Sequence, residues 1–379
     1  MIYISAVGMI NALGNSLDEI ACNLTRGIAP GMRPRAGWLQ GQPQAMLGGV
    51  DGELPAIGDA FAAHRTRNNQ LLLAALAQIQ PQVDDAIARY GRDRVAVVLG
   101  TSTSGLDEGD RHVDLTLNAK ASAAWHYPQQ ELGDPSRFLS HWLDLDGPAF
   151  TLSTACSSSA RAIISGRRLI EAGLADVAIV GGADSLSRMP VNGFHSLESL
   201  SPTLCQPFGR DRSGITIGEG AGLMLLTREP QPIALLGVGE SSDAHHISAP
   251  HPQGEGAIRA IRQALDDAGL SAEAVGYINL HGTATPLNDQ VESQVVSALF
   301  WRAGAVQLHQ ASDRPYAGRG GDHRSGNRHA DPAAQPAAAG SGFQSFAARP
   351  GAARLRHYRY RAAARPSDDP VQLVRLWRQ

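Results

Sequence analysis

Lysine is almost absent: Lys120 is the single lysine among 379 residues, so nearly all basic charge sits on arginine. That bias suggests a GC-rich coding sequence. Neither sign of charge is in excess, the formal net charge being -3. So even a balance gives no electrostatic footprint for nucleic acid or an anionic membrane. Long apolar runs are lacking too, so no membrane span is expected. Cysteine is scarce, and Cys22, Cys156 and Cys205 form neither a CxxC pair nor a disulfide framework. The expected compartment is therefore a reducing cytoplasm, where an isolated cysteine is a candidate nucleophile. Residues 1–14 carry no basic segment ahead of their apolar stretch, so no signal peptide is expected. His245 and His246 have no convincing partner at metal-ligand spacing, and no metal site is expected.

What is present is an ordinary globular composition, 43% hydrophobic and 18% charged. The length suits two medium domains or one large duplicated one. Residues 2–7 read as a strand with a turn around Asn11 and Gly14. Residues 17–24 read as a helix capped by Ser16, with Cys22 in its core face. Residues 28–60 are rich in Gly and Pro and read as loop. Residues 69–87 have helical spacing, and 94–100 form a β-branched run typical of a buried strand. A β-α-β unit follows: strand 150–154, helix 157–172, and strand 176–180 stopped by Gly181 and Gly182. Such a unit implies parallel strands in a buried sheet. Strands at 221–226, 233–238 and 275–280 alternate with helices at 256–268 and 290–300, so the class is α/β.

Two positions carry candidate chemistry. Cys156 lies between a strand and a helix, where unpaired helix N–H groups favour the reactive thiolate. Ala155, Ser157 and Ser158 leave room for a substrate. Taken alone, this setting leaves a nucleophile and a buried, inert cysteine about equally supported. Cys205 reads as a loop residue. His281 closes a strand in "YINLHGTATPLND" and is suited to donate to an oxyanion or to take a proton. Thr283 and Thr285 supply hydroxyls for an amide-bearing substrate arm. His64 and His141 read as structural residues.

The strings "VLGTSTSG", "ACSSSA", "GGADS", "GFHSLESLSP", "CQPFGRDRSGITIGEGAG", "SSDAHHISAP" and "HGTATPLND" occur in family order between residues 2 and 300. Together they resemble the β-ketoacyl-acyl carrier protein synthases of the thiolase superfamily, in the elongating branch. Gln206, where a basic residue is usual, and Leu280, before the histidine, depart from the pattern. The resemblance implies a thiolase-like five-layer α-β-α-β-α sandwich of two similar halves. Residues 1–230 would form the half carrying the nucleophile, and 231–300 the start of the second. It implies an acyl chain passed from acyl carrier protein to Cys156, then condensation with malonyl-acyl carrier protein. His281 would stabilise the enolate, Glu292 would pair with a family lysine, and Thr283 and Thr285 would line the pantetheine arm. No cofactor is implied, because the carrier brings the thioester. The implied partners are acyl carrier protein and a second subunit, as a homodimer or a heterodimer with a synthase-like chain. A thiolase is disfavoured by the "HGTAT" string and a non-catalytic partner subunit by the presence of Cys156, whereas a truncated, non-enzymatic product stays open because of the tail.

From Trp301 the composition turns to Arg, Gly, Ala and Pro without either period, and reads as a disordered tail over 301–379. The family's "STK", "TGHTLGAAG" and "SNSFAFGG" stretches are missing here. Read one base later, the codons of residues 301–330 are compatible with "GAPAQSSSTKRATGHTLGAAGITEAAIAT". In the same frame "VQLVRLWRQ", residues 371–379, is compatible with "SNSFAFGG". The tail therefore reads as out of frame, and the second half as incomplete.

Overall fold

The computed structural model describes residues 1–120, 125–246 and 249–300, together with a two-residue strand at 339–340. The disordered tail expected over 301–379 otherwise lies outside the described residues. The chain opens with β1 (Ile2–Asn11), which turns back at Asn11 and Gly14 into α1 (Leu17–Arg26). Ser16 caps this helix by accepting the Glu19 N–H. Cys22 is exposed, contrary to its expected place in the core. The inward face of α1 is set by Ile20, which packs on Met9 and Leu13, and Cys22 lies about 200° around the helix from it.

Residues 28–60 are not all loop. They hold the antiparallel pair β2 (Met32–Ala36) and β3 (Gln44–Gly48). Pro34 misleads because proline lacks a ladder donor, yet β2 is an edge strand, where that loss is tolerated. The single helix expected over 69–87 is two, α2 (Arg67–Ala77) and α3 (Gln80–Tyr90). Pro81 stands in the first turn of α3. It has no N–H to give and its ring excludes the carbonyl of the preceding turn.

The main sheet adds β4 (Val95–Gly100), β5 (Ala149–Leu152), β6 (Val177–Asp184), β8 (Gly220–Thr227) and β9 (Ile233–Leu235), in the order β5-β4-β6-β8-β1-β9. β5 and β6 both run parallel to β4, which lies between them. The strand alternation sorts side chains into two layers. Val95, Val97 and Leu99, with Val177, Ile179, Leu223 and Leu225, face Leu71, Leu72, Leu76, Phe138 and Leu139 of α2 and α5 (Asp134–Trp142). Ala96, Val98, Ala178, Val180, Met224 and Leu226 face Ala162, Ile163 and Ile170 of α6 (Ser158–Glu171). Truncating any of these buried leucines to alanine would cost about 2–5 kcal/mol. The glycines read as stopping β6 lie inside it. Gly181, at φ 135°, lets the strand pass Gly222, whose carbonyl oxygen would be 2.0 Å from a Cβ.

A smaller sheet runs β10-β7-β3-β2, with β7 (Ile217–Gly218) between β3 and β10 (Ala339–Gly340). Val191 of α7 (Arg188–Ser196) packs with Leu47 and Ile217 of this sheet, and α4 (Leu106–Leu117) is tied to α7 through Asp107 and Arg188. The second half contributes α8 (Glu255–Ala268) and α9 (Pro286–Phe300), whose Ile261, Leu265, Val291, Val295 and Phe300 enclose Val275 and Ile278. The strand expected over 233–238 is three residues long and lies on the edge of the first sheet. Gly237 and Gly239 then press onto α8, where a Cβ would come within 2.2 and 1.9 Å of the Ala264 and Ala260 carbonyl oxygens. The strand expected over 275–280 forms no ladder among the described residues. A strand needs neighbours for its N–H and C=O groups, and no described segment supplies them. The second half is thus incomplete over the described residues, with its helices present and its sheet unbuilt. α6 fastens to this half through Arg167 with Asp267 (2.5 Å) and Arg168 with Glu240 (2.9 Å). None of the described helices is long and apolar enough to cross a membrane.

Candidate active site

Cys156 sits on the turn between β5 and α6, half-buried, just ahead of the helix. Ala155 before it has φ 52°, a left-handed conformation sparsely populated by residues with a side chain. Two serines hold that conformation. Ser157 Oγ donates to the Thr154 carbonyl (2.6 Å) and bonds Thr154 Oγ1 (2.7 Å). Ser158 Oγ donates to the Ala155 carbonyl (2.6 Å) and accepts the Thr154 N–H (2.9 Å). The serines that the sequence presents as room for substrate therefore serve to shape the turn. Two glycines bring it down onto the sheet. At Gly100 a Cβ would lie 2.3 Å from Ser159 N, and at Gly182 it would lie 2.5 Å from Ser159 Oγ. The same strand-turn-helix device presents the nucleophile in other α/β enzymes. Cys205 differs: it is buried, and burial pushes its thiol up, away from the reactive thiolate.

Under this turn lies a residue that the sequence reading missed. Asp184 ends β6 and is 2% exposed. One carboxylate oxygen accepts the Ser102 N–H (2.7 Å), the Thr103 N–H (2.8 Å) and the Thr103 hydroxyl (2.8 Å), with the Thr101 and Ser102 hydroxyls at 3.1 Å. It thereby shapes loop 101–104, whose Thr101 carbonyl meets Ser158 Oγ at 3.5 Å. Burial pushes the Asp184 carboxyl up to about 6 against the pull of those donors. A folded carboxyl near 6 holds its proton more tightly than an unfolded one near 3.8. Its stabilising contribution is therefore complete below pH 4 and is lost as pH rises through 6. Relative to an Asp184→Asn chain, the protein should lose on the order of 3 kcal/mol of stability across that window. Denaturant midpoints at pH 4 and pH 7 measure this, and an unchanged difference between the two chains would contradict it.

His281, Thr283, Thr285 and Glu292 come together in one loop–helix unit. α9 begins four residues before the expected start, because Pro286 fits the first helical position, where no N–H is needed. Glu292 turns back toward the loop and accepts the N–H groups of His281 and Gly282, the latter at 2.9 Å. Its role in the described structure is thus to set the backbone at His281. Thr283 and Thr285 hydroxyls lie 2.9 Å apart and share a hydrogen bond. A second carboxylate of α9, Asp289, accepts the Ala284 N–H at 3.1 Å and was also missed. Its one sequence signal is an acidic residue in the first turn after a proline start. Gly282, at φ 56°, brings this loop beside Pro207 and Phe208 of the first half, at 3.3 and 3.6 Å from a notional Cβ. Cys156 belongs to the first half, and the histidine unit to the second.

Comparison with known proteins agrees with this layout. The family model "Beta-ketoacyl synthase, N-terminal domain" matches residues 51–231, and "Beta-ketoacyl synthase, C-terminal domain" matches 233–320. A 3-oxoacyl-acyl-carrier-protein synthase 2 of Synechocystis is 29% identical over 315 residues, covering 78% of this chain and 76% of the relative. Nodulation protein E of Rhizobium meliloti is 40% identical over 167 residues, 42% of this chain and 41% of the relative. Among solved structures, a complex of a ketosynthase with its chain length factor from Xenorhabdus doucetiae matches with a TM-score of 0.78 and 68% identity. That match covers 79% of this chain and 76% of the solved one. A β-ketoacyl synthase from Burkholderia phymatum matches with a TM-score of 0.68 and 26% identity over 79% of this chain and 78% of the solved one. The fold is therefore thiolase-like, and the chain belongs to the β-ketoacyl synthase family.

Proposed function

We propose that the chain is an acyltransferase that takes an acyl group onto Cys156 and, once its reading frame is restored, condenses it with malonyl-acyl carrier protein, giving 3-oxoacyl-acyl carrier protein. The observation that carries this reading is Cys156 itself, poised on the strained turn at the start of α6 within a matched synthase half. The Cys156 thiol gives up its proton, the resulting thiolate attacks the carrier's acyl thioester to form the new carbon–sulfur bond, and the old carbon–sulfur bond breaks with the carrier leaving as a thiolate that takes up that proton. Malonyl thioester then loses carbon dioxide. The electron pair left behind forms the new carbon–carbon bond at the acyl carbonyl and expels the Cys156 thiolate. His281 donates to the enolate oxygen, an interaction made only as charge develops. The Thr283 and Thr285 hydroxyls receive the pantetheine arm, and Glu292 keeps the His281 backbone in place.

Carrier protein and a second synthase-like chain are the partners this reading requires. β5 supports the latter, since it is the edge strand of the main sheet among the described residues, with Phe150 exposed. A chain-length-factor role is the second reading, raised by the Xenorhabdus doucetiae complex. It predicts no acyl group on Cys156.

Residues beyond about 301 are, on this reading, translated out of frame. The match to the Xenorhabdus doucetiae structure covers 79% of the chain, the share that residues 1–300 make up of 379. The C-terminal family model, by contrast, runs on to residue 320, past the proposed slip. The frame one base later restores a lysine to face Glu292, a second histidine and a phenylalanine-glycine loop.

His281→Ala in the frame-restored chain tests the assigned chemistry. Loading of Cys156 should persist, whereas release of carbon dioxide from malonyl-carrier protein should fall about 100- to 1000-fold. Equal loss of both half-reactions would contradict the role given to His281.

A further inference from the structure

Phe208 and Ala284 lie in different halves of the chain, yet they share two unusual properties. Both have φ 60°, in the left-handed region that residues with a side chain rarely occupy. Both also donate their N–H to the same carboxylate. Asp289 Oδ2 accepts from Phe208 at 2.6 Å, and Oδ1 accepts from Ala284 at 3.1 Å and from Asn288 Nδ2 at 3.2 Å. Asp289 is 1% exposed, and Arg212 Nε faces its Oδ2 at 3.7 Å. A carboxylate so enclosed stays where its donors put it, because losing any of them leaves a buried charge short of a partner.

Further ties cross the same boundary. The Gly214 N–H donates to the Ala284 carbonyl at 3.1 Å. Arg212 donates to the Pro286 carbonyl (3.2 Å) and to the Gly209 carbonyl of its own loop (3.0 Å). One helical turn beyond Asp289, Glu292 takes the N–H groups of His281 and Gly282. Residues three apart share a helix face, so α9 presents two carboxylates to one loop. Asp289 also reaches the first half through the Phe208 N–H.

We infer that Asp289 is a positioning residue: its buried carboxylate latches loop 206–214 to loop 281–285, fixing the wall on which Thr283 and Thr285 hold a substrate arm. The part played by the threonines rests on the function proposed above, whereas the latch rests on the geometry alone. Burial pushes the Asp289 carboxyl up, while the Phe208 N–H, Asn288, Arg212 and the Ala284 N–H pull it down. That balance fits a group whose donors are built for it.

The test uses the full chain with Asp289→Ala and Asp289→Asn. Amide hydrogen exchange in peptides covering 206–214 and 281–286 should rise at least tenfold in Asp289→Ala, and less in Asp289→Asn, which keeps one acceptor oxygen. Peptides from β4 and β6 should be unchanged. Acylation of Cys156 by an acyl-pantetheine thioester should slow about tenfold, while alkylation of Cys156 by iodoacetamide, which has no arm to hold, keeps its rate. Unchanged exchange in both loops, or exchange raised equally in β4 and β6, would overturn the latch. Equal slowing of acylation and alkylation would reduce Asp289 to a general structural residue and overturn the inference too. If the unaltered chain takes no acyl group from acyl-pantetheine, the proposed function fails, and the exchange result still decides the latch. Should the alanine variant not fold, Asp289→Asn carries the same comparison.

Discussion

Incubated with an acyl-carrier protein, the chain should gain one acyl adduct by intact mass, and Cys156→Ala should gain none. The expected effect is all or none, because the other two thiols are badly placed. Cys22 lies exposed on α1, remote in sequence from the α6 turn, and Cys205 is buried with its thiol pushed up. Neither has the strained left-handed neighbour and the helix start that Cys156 has. Peptide mapping locates the adduct. An acyl group persisting in Cys156→Ala, or found on Cys205, would remove the nucleophile assignment and favour the chain-length-factor reading.

Restoring the frame should switch condensation from absent to present. Residues 1–235 hold the six-stranded main sheet with helices on both faces, so loading at Cys156 has its scaffold. Condensation needs more. The resemblance assigns a second histidine, a lysine opposite Glu292 and a phenylalanine-glycine loop to stretches with which the codons read one base later are compatible. Residues 275–280, which read as a strand, find no ladder partner among the described residues. Sequencing across the Phe300 codon should find one base too many near it, and removing that base should raise the yield of folded protein. A confirmed frame in an actively condensing protein would contradict this.

Much of the first half is legible in the residues, for physical reasons. The run "VAVVLG" is buried on both faces, so its β-branched pattern survives without ambiguity. Ser16 announces α1, and the Cys156 turn is visible as a strand, small residues and a helix. Other features are hidden by context. Gly181 and Gly182 look like a strand end, yet they are needed where β6 passes Gly222 and the Gly100 carbonyl. Pro34 looks like loop because an edge strand cannot be told from its composition. Cys22 follows the apolar pattern of α1 closely enough to mislead, although Ile20 sets the inward face. The carboxylates are the least legible. Asp184, Asp289 and Glu292 act on backbone N–H groups, which carry no side-chain signature. Their targets are identified only once the loops are folded. For Glu292 the resemblance pointed to the right residue through a lysine partner, and the described structure adds its hold on His281 and Gly282.

The central claim is that this is a condensing synthase, with Cys156 carrying the acyl group and its second half lost to a frame slip. The most direct measurement supplies acyl- and malonyl-carrier protein to both chains and follows the products by mass. The account predicts acyl-Cys156 on both chains, and 3-oxoacyl-carrier protein from the frame-restored chain alone. Formation of 3-oxoacyl-carrier protein by the chain in its present frame, or by neither chain despite acylation of Cys156, would contradict it.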